Sequence, residues 1–276
     1  MIEIRATIDR INTLLDCNTA GSVTYAALEA RLVLERVCYD RLRQSHDYIS
    51  HAQLKRWQPN AIMTTLINQV DETATTTRIL YISKEPAEPE VIPSDDDFVE
   101  VGIQIGFDPK YIGKLWSALS GLALHAKLPE HREDAIDSYG DTEKIRAKIV
   151  EVVSELERLS KTTLTMSGIG EEVSFACACG EKNKRRAGLL KQGQSVYCIN
   201  PNCDHSYTVE KSDEGFNFEP EIISVDCNNC GMTNAAPRRT LQKMKTDQHI
   251  SFSCHKCKEI NVVQWRLCQV APLAQS

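Results

Sequence analysis

The chain has 276 residues, 42% of them hydrophobic and 25% charged, with a net charge of −6; that balance excludes fibrous and wholly disordered classes and leaves room for two domains. No apolar run approaches the roughly 20 residues that a bilayer-crossing helix needs, and the charged start MIEIRATIDR has no uninterrupted apolar segment of the signal-peptide kind. The expected setting is therefore the cytoplasm, without a membrane partner, where eleven cysteines point to metal ligands or buried thiols rather than disulfides.

The first 84 residues read as helical. TYAALEARLVLERVCYDRLRQSH alternates an apolar stripe (Ala27, Leu28, Leu32, Val37) with a charged face (Glu29, Arg31, Glu35, Arg36), the pattern of an amphipathic helix capped by Ser22 or Thr24. A second helix is expected from Pro59 to Asp71, with proline in the first turn where its missing N–H costs nothing. The stretch EPAEPEVIPSDDDF, Glu85 to Phe98, crowds prolines and acids together and reads as a surface loop. Helix resumes after Asp108, an N-cap followed by Pro109, and stops by Pro129. A last amphipathic helix runs from Thr142 to Leu159, and TLTMSGIGEE then separates two compositionally different halves.

Beyond it VSFACA, AGLLK, QSVYCI, SYTVE, IISVDC, HISFSC and NVVQWRLCQV read as strands. Charge shifts at the same place, with 19 Lys and Arg against 26 Asp and Glu in residues 1–170 but 13 against 12 from residue 171 onward. The expected organisation is α+β: an α-helical domain over residues 1–165, then two small β modules in tandem over 171–220 and 221–270.

The modules repeat a pattern. Cys177-x-Cys179 is followed after eighteen residues by Cys198-x4-Cys203, and Cys227-x2-Cys230 after twenty-three by Cys254-x2-Cys257. Two short cysteine turns brought together by hairpins supply the four ligands of a tetrahedral structural site. The agreement extends past the ligands, CGEKNKRR matching CGMTN with Arg238 and Arg239 three residues on, and SVYC matching SFSC. These blocks resemble zinc ribbons, and the resemblance implies two structural Zn2+ ions. His205 could replace Cys203 as a ligand, whereas His255 should point outward. Cys17, Cys38 and Cys268 are left over and read as buried reduced thiols.

Lys182, Lys184, Arg185, Arg186 and Lys191 in the first block and Arg238, Arg239, Lys243 and Lys245 in the second lie between the paired turns. Read as loops, they suit phosphate neutralisation, with Tyr197, Phe252 or Trp265 as stacking partners, so nucleic acid is the expected ligand. A protein-facing scaffold role is the competing reading. The helical domain is expected to associate with itself or with a protein partner.

LEARLVLERVCYDRL and LWSALSGLALHAKLP resemble the helices of HEPN-type bundles, which are common in prokaryotic conflict and defence systems. The catalytic members of that family are metal-independent ribonucleases with an R-x4–6-H motif, matched here by Arg41 and His46. About one such match is expected by chance in a chain of this composition, and this one lies early in the domain. Non-catalytic nucleic-acid binding is therefore the leading expectation, and a ribonuclease built on Arg41 and His46 the alternative.

Overall fold

The computed structural model describes residues 3–50, 59–84, 94–126, 129, 131–133 and 140–264. They form a mixed α+β chain, helical in its first part and built from small antiparallel sheets in its second. The described residues fall into two compact units. One runs to Glu172 and includes Arg185–Leu189, and the other comprises Val173–Lys184 and the residues from Leu190 onward.

In the helical unit, α1 (Ile4–Asp16), α2 (Ala20–Arg43), α3 (Pro59–Gln69), α4 (Pro109–Ala123) and α5 (Thr142–Leu159) surround one apolar core. Helix α2 touches the other four, because Ala26, Ala27 and Ala30 are buried beside Val23, Val33 and Leu34 and let neighbouring helices approach closely. Its cap is Thr19, whose side chain accepts from the Ser22 N–H while Ser22 returns the bond. Ser22 is thus the third residue of a capping box rather than the cap, and Thr24 is not the cap either. Asp108 caps α4 as expected, with its carboxylate accepting from the Lys110 N–H. The helix ends at Ala123, before Pro129 is reached.

The expectation of an all-helical front half fails at one place. Strands β1 (Arg78–Ser83) and β2 (Phe98–Gln104) form an antiparallel hairpin, with Ile79 opposite Ile103 and Ile82 opposite Val99. RILYIS and FVEVGIQ are rich in β-branched and aromatic residues, and this local preference outweighs the helical context. Residues 85–93 of the expected proline-rich loop lie outside the described residues. The segment after α5 also belongs to the helical unit, since Thr163 and Leu164 donate to the Ile103 carbonyl at 2.9 and 3.1 Å.

The second unit carries most of β3 (Glu172–Ala176), whose first residue belongs to the helical unit, paired with β4 (Lys182–Arg186), whose last two residues also belong to the helical unit, and β5 (Ser195–Tyr197), β6 (Ser206–Ser212) and β7 (Gly215–Pro220) in one sheet. It continues with β8 (Ile222–Asp226) paired with β9 (Thr233–Pro237), helix α6 (Arg238–Gln242), and β10 (His249–Ser253) paired with β11 (Ile260–Gln264). AGLLK is not a strand: Ala187–Leu189 is a single 3-10 turn. The lysine-rich run before it is strand β4, where the sequence suggested a loop, because pairing with β3 satisfies its backbone while alternate side chains are buried.

Candidate metal centres

Each cysteine pair sits in the turn of a hairpin. Cys177 and Cys179 lie between β3 and β4, Cys198 and Cys203 between β5 and β6, Cys227 and Cys230 between β8 and β9, and Cys254 and Cys257 between β10 and β11. Short backbone bonds close the turns, among them Cys177 N–H to the Glu181 carbonyl at 2.8 Å and Cys227 N–H to the Met232 carbonyl at 2.9 Å. Gly180 at φ +89° and Gly231 at φ +67° follow the second cysteine of their pairs, in the left-handed region that costs a residue with a Cβ about 1–2 kcal/mol. Lys258 holds the same place after Cys257 at φ +64°.

The hairpins bring together two groups of four sulfurs, Cys177, Cys179, Cys198, Cys203 and Cys227, Cys230, Cys254, Cys257, and within each group the atoms lie within 4.8 Å of one another. The pairs Cys177–Cys203, Cys179–Cys198 and Cys230–Cys254 are separated by 3.7 Å and Cys227–Cys257 by 3.6 Å. A disulfide would need about 2.05 Å. A tetrahedron with metal–sulfur distances of about 2.3 Å has edges of about 3.8 Å, close to these four separations, so both groups could bind a metal ion.

The surroundings shift the thiols in both directions. The N–H of Cys230 and the side-chain amide of Asn261 bring the Cys227 thiol down to about 6, and the Cys257 N–H lowers Cys254. Burial has the opposite effect on Cys198, raising it to about 11, and it also raises Cys203. His205 does not join the ligand set: its Nδ1 lies 3.3 Å from Cys203 Sγ, and the tetrad is complete without it. His255 is exposed, as expected, with Nδ1 2.9 Å from Asn234 Oδ1. Among the other cysteines, Cys38 is buried and its thiol is raised to about 12 by desolvation, Cys17 is exposed, contrary to expectation, and Cys268 lies outside the described residues.

The basic residues do not form one surface. Lys182, Lys184, Lys191, Arg238, Lys243 and Lys245 are exposed, but Arg185 and Arg186 are 3% and 7% exposed. Arg186 donates to the carbonyls of Ser167, Gly168 and Gly170 at 3.2, 3.0 and 2.9 Å and pairs with Glu172 at 3.0 Å. Its guanidinium also sits 4.7 Å from the Tyr48 ring centroid. Arg239 lies over the Tyr197 ring at 4.9 Å, and Lys243 pairs with Asp204. For Arg185 and Arg186 the expectation of surface phosphate contacts is therefore corrected: they are interior residues, and the buried guanidinium of Arg186 is paired with these carbonyls and Glu172. Tyr197 is occupied by Arg239, Phe252 is half-buried, and Trp265 lies outside the described residues.

In the helical unit, Arg41 is 7% exposed, donates to the Ile105 carbonyl at 2.8 Å and lies 5.7 Å from the Phe107 ring centroid. It borders a cleft of about 300 Å³ lined also by Arg5, Asp40, Ser160 and Thr162. His46 is exposed on the 3-10 turn His46–Tyr48 and is not among the residues lining that cleft. His125 is exposed just beyond α4.

Sequence reasoning missed Asn183, Tyr207, Asn234 and Asn261, which are buried against the sulfurs. The signal was present, since CGEKN and CGMTN align Asn183 with Asn234. No helix among the described residues is long and apolar enough to cross a membrane. No family model, curated protein or solved structure matches this chain.

Proposed function

We propose that this is a zinc-dependent, non-catalytic nucleic-acid-binding protein, in which each cysteine tetrad holds one structural Zn2+ and the ribbons present a basic surface to phosphate. Four thiolates leave no open coordination position, and tetrahedral all-sulfur sites of this kind suit structural zinc. The observation that carries the nucleic-acid reading is the placement of Lys182 and Lys184 on alternate, outward positions of β4, with Lys191 exposed nearby in sequence and Arg238 and Lys245 exposed in the second ribbon. The engagement of Arg41 with Ile105 and Phe107 supports the non-catalytic assignment. A role in prokaryotic genome defence is the setting that the HEPN resemblance implies for such a protein.

The test is charge reversal at Lys182 and Lys184, away from the buried arginines. Binding of labelled RNA and DNA, titrated at two salt concentrations, should weaken, and the salt slope should fall by roughly 0.7–0.9 for each phosphate that is no longer neutralised. Zinc content must equal that of the parent chain. Binding that is absent in the parent, or indifferent to salt, sinks the reading.

Self-association through the helical unit is the companion proposal. Tyr81 and Ile82 on β1 are 52% and 61% exposed, and Val99 and Val101 on β2 are 48% and 49% exposed; among the described residues no strand pairs with the outer edge of β1. Arg78 is neutralised by Asp71, so two copies of Ile79–Ile82 meet antiparallel without charge repulsion. Light scattering should give a dimer that Tyr81→Lys converts to a monomer; a monomeric parent chain refutes it.

A further inference from the structure

Asn183, Tyr207, Asn234 and Asn261 each stand four residues after the second cysteine of a pair, at the second position of the strand leaving that turn. Each reaches across to the opposite turn of its own ribbon. Asn234 Oδ1 accepts from the His255 N–H at 3.2 Å, while its amide nitrogen is 3.9 Å from Cys254 Sγ and 2.9 Å from the Met232 carbonyl. Asn261 repeats the arrangement with the Asn228 N–H at 2.9 Å, Cys227 Sγ at 3.4 Å and the Glu259 carbonyl at 3.1 Å. Asn183 does so with the Ile199 N–H at 2.9 Å, Cys198 Sγ at 3.8 Å and the Glu181 carbonyl at 3.1 Å.

In all three cases the amide oxygen takes the N–H of the residue that follows a cysteine, which fixes the nitrogen end towards the sulfur. Tyr207 performs both tasks with one oxygen, accepting from the Ala178 N–H at 3.0 Å and donating to Cys177 Sγ at 3.3 Å. The four side chains are 0%, 5%, 8% and 3% exposed in chain order.

We propose that Asn183, Tyr207, Asn234 and Asn261 are positioning residues for the metal, clamping each opposite turn and donating a hydrogen bond to one sulfur there. The inference rests on the zinc reading above. Four thiolates around one divalent cation leave net negative charge in a poorly solvated site, and N–H and O–H donors spread that charge. The clamp also joins the two turns of a ribbon: a strand from one turn holds the conformation of the other, so the two sulfur pairs keep their mutual placement around the ion.

The experiment titrates zinc from the full-length chain with a competing chelator, and it records the sulfur-to-metal charge-transfer band after cobalt substitution. Tyr207→Phe keeps the ring and removes only the hydroxyl. It should weaken one of the two zinc ions about 10–100-fold, the usual effect of losing an outer-shell partner, and shift part of the cobalt band. Asn261→Ala should do the same to the other ion, and Tyr207→Asn, which installs the residue found at the other three positions, should recover most of the loss. Parent-like affinities and unshifted cobalt spectra in Tyr207→Phe and Asn261→Ala overturn the clamp and leave the zinc reading standing. A parent chain that binds no zinc overturns the zinc reading and the clamp together.

Discussion

Around the first tetrad, Phe175 stacks on Phe218 at 4.2 Å between centroids and meets Tyr207 edge-on at 5.0 Å, with Leu190, Val196 and Val209 buried beside them. The second ribbon has Val225 where the first has Phe175 and Asn261 where it has Tyr207, and it has no strand corresponding to β7 among the described residues. Its buried apolar side chains among the described residues are Cys227, Leu241 and Cys254. One ligand plan is therefore set in two different surroundings. On the proposed zinc reading, the first ribbon can draw on apolar burial as well as metal, while the second would depend on the metal for nearly all of its order, as small modules with little core do.

The largest expected effect breaks this comparison directly. Stripping the metal removes a contribution on the order of 10 kcal/mol per site. The second ribbon should lose its strands altogether, the first should keep residual order around Phe175 and Phe218, and the helices should persist. Hydrogen exchange reads the outcome at Val209 in β6 and Val262 in β11; equal loss of protection at both, or loss of the helical signal, contradicts it.

A smaller effect sharpens it. The repeat aligns Arg186 with Arg239, and each guanidinium lies over a tyrosine earlier in the chain, Tyr48 and Tyr197. Arg186 also serves three carbonyls and Glu172, whereas Arg239 is half-buried. Arg186→Ala should cost about 1.5–3 kcal/mol, the scale of hydrogen bonds made by a charged group, and Arg239→Ala about 1 kcal/mol, the scale of a partly exposed cation–π contact. Denaturant unfolding of the two variants would decide it, and equal costs would show that the arginines have the same role.

The cysteine spacing, the duplicated CG turns and the amphipathic runs made the α+β organisation, the helices from Thr142 and after Asp108, and both tetrads legible in the sequence. These features are local: a ligand turn or a helix face is written in a few neighbouring residues. Other features escaped for equally physical reasons. The β1–β2 hairpin lay inside a span read as helical, because periodicity over short apolar runs does not separate strand from helix. Lys182–Arg186 looked like a basic loop because charge was visible in the sequence and pairing with β3 was not.

The sequence by itself determined the two cysteine sets that can bind metal, leaving only the choice between Cys203 and His205 to the structure. It also determined the repeat that makes one ribbon a copy of the other. Tertiary structure alone decided which arginines are inside, which lysines remain on the surface, and that an asparagine or tyrosine four residues past a cysteine serves the opposite turn. Such facts depend on what a strand meets across the hairpin; the repeat marks Asn183 and Asn234 as equivalent, but does not say which turn each one satisfies.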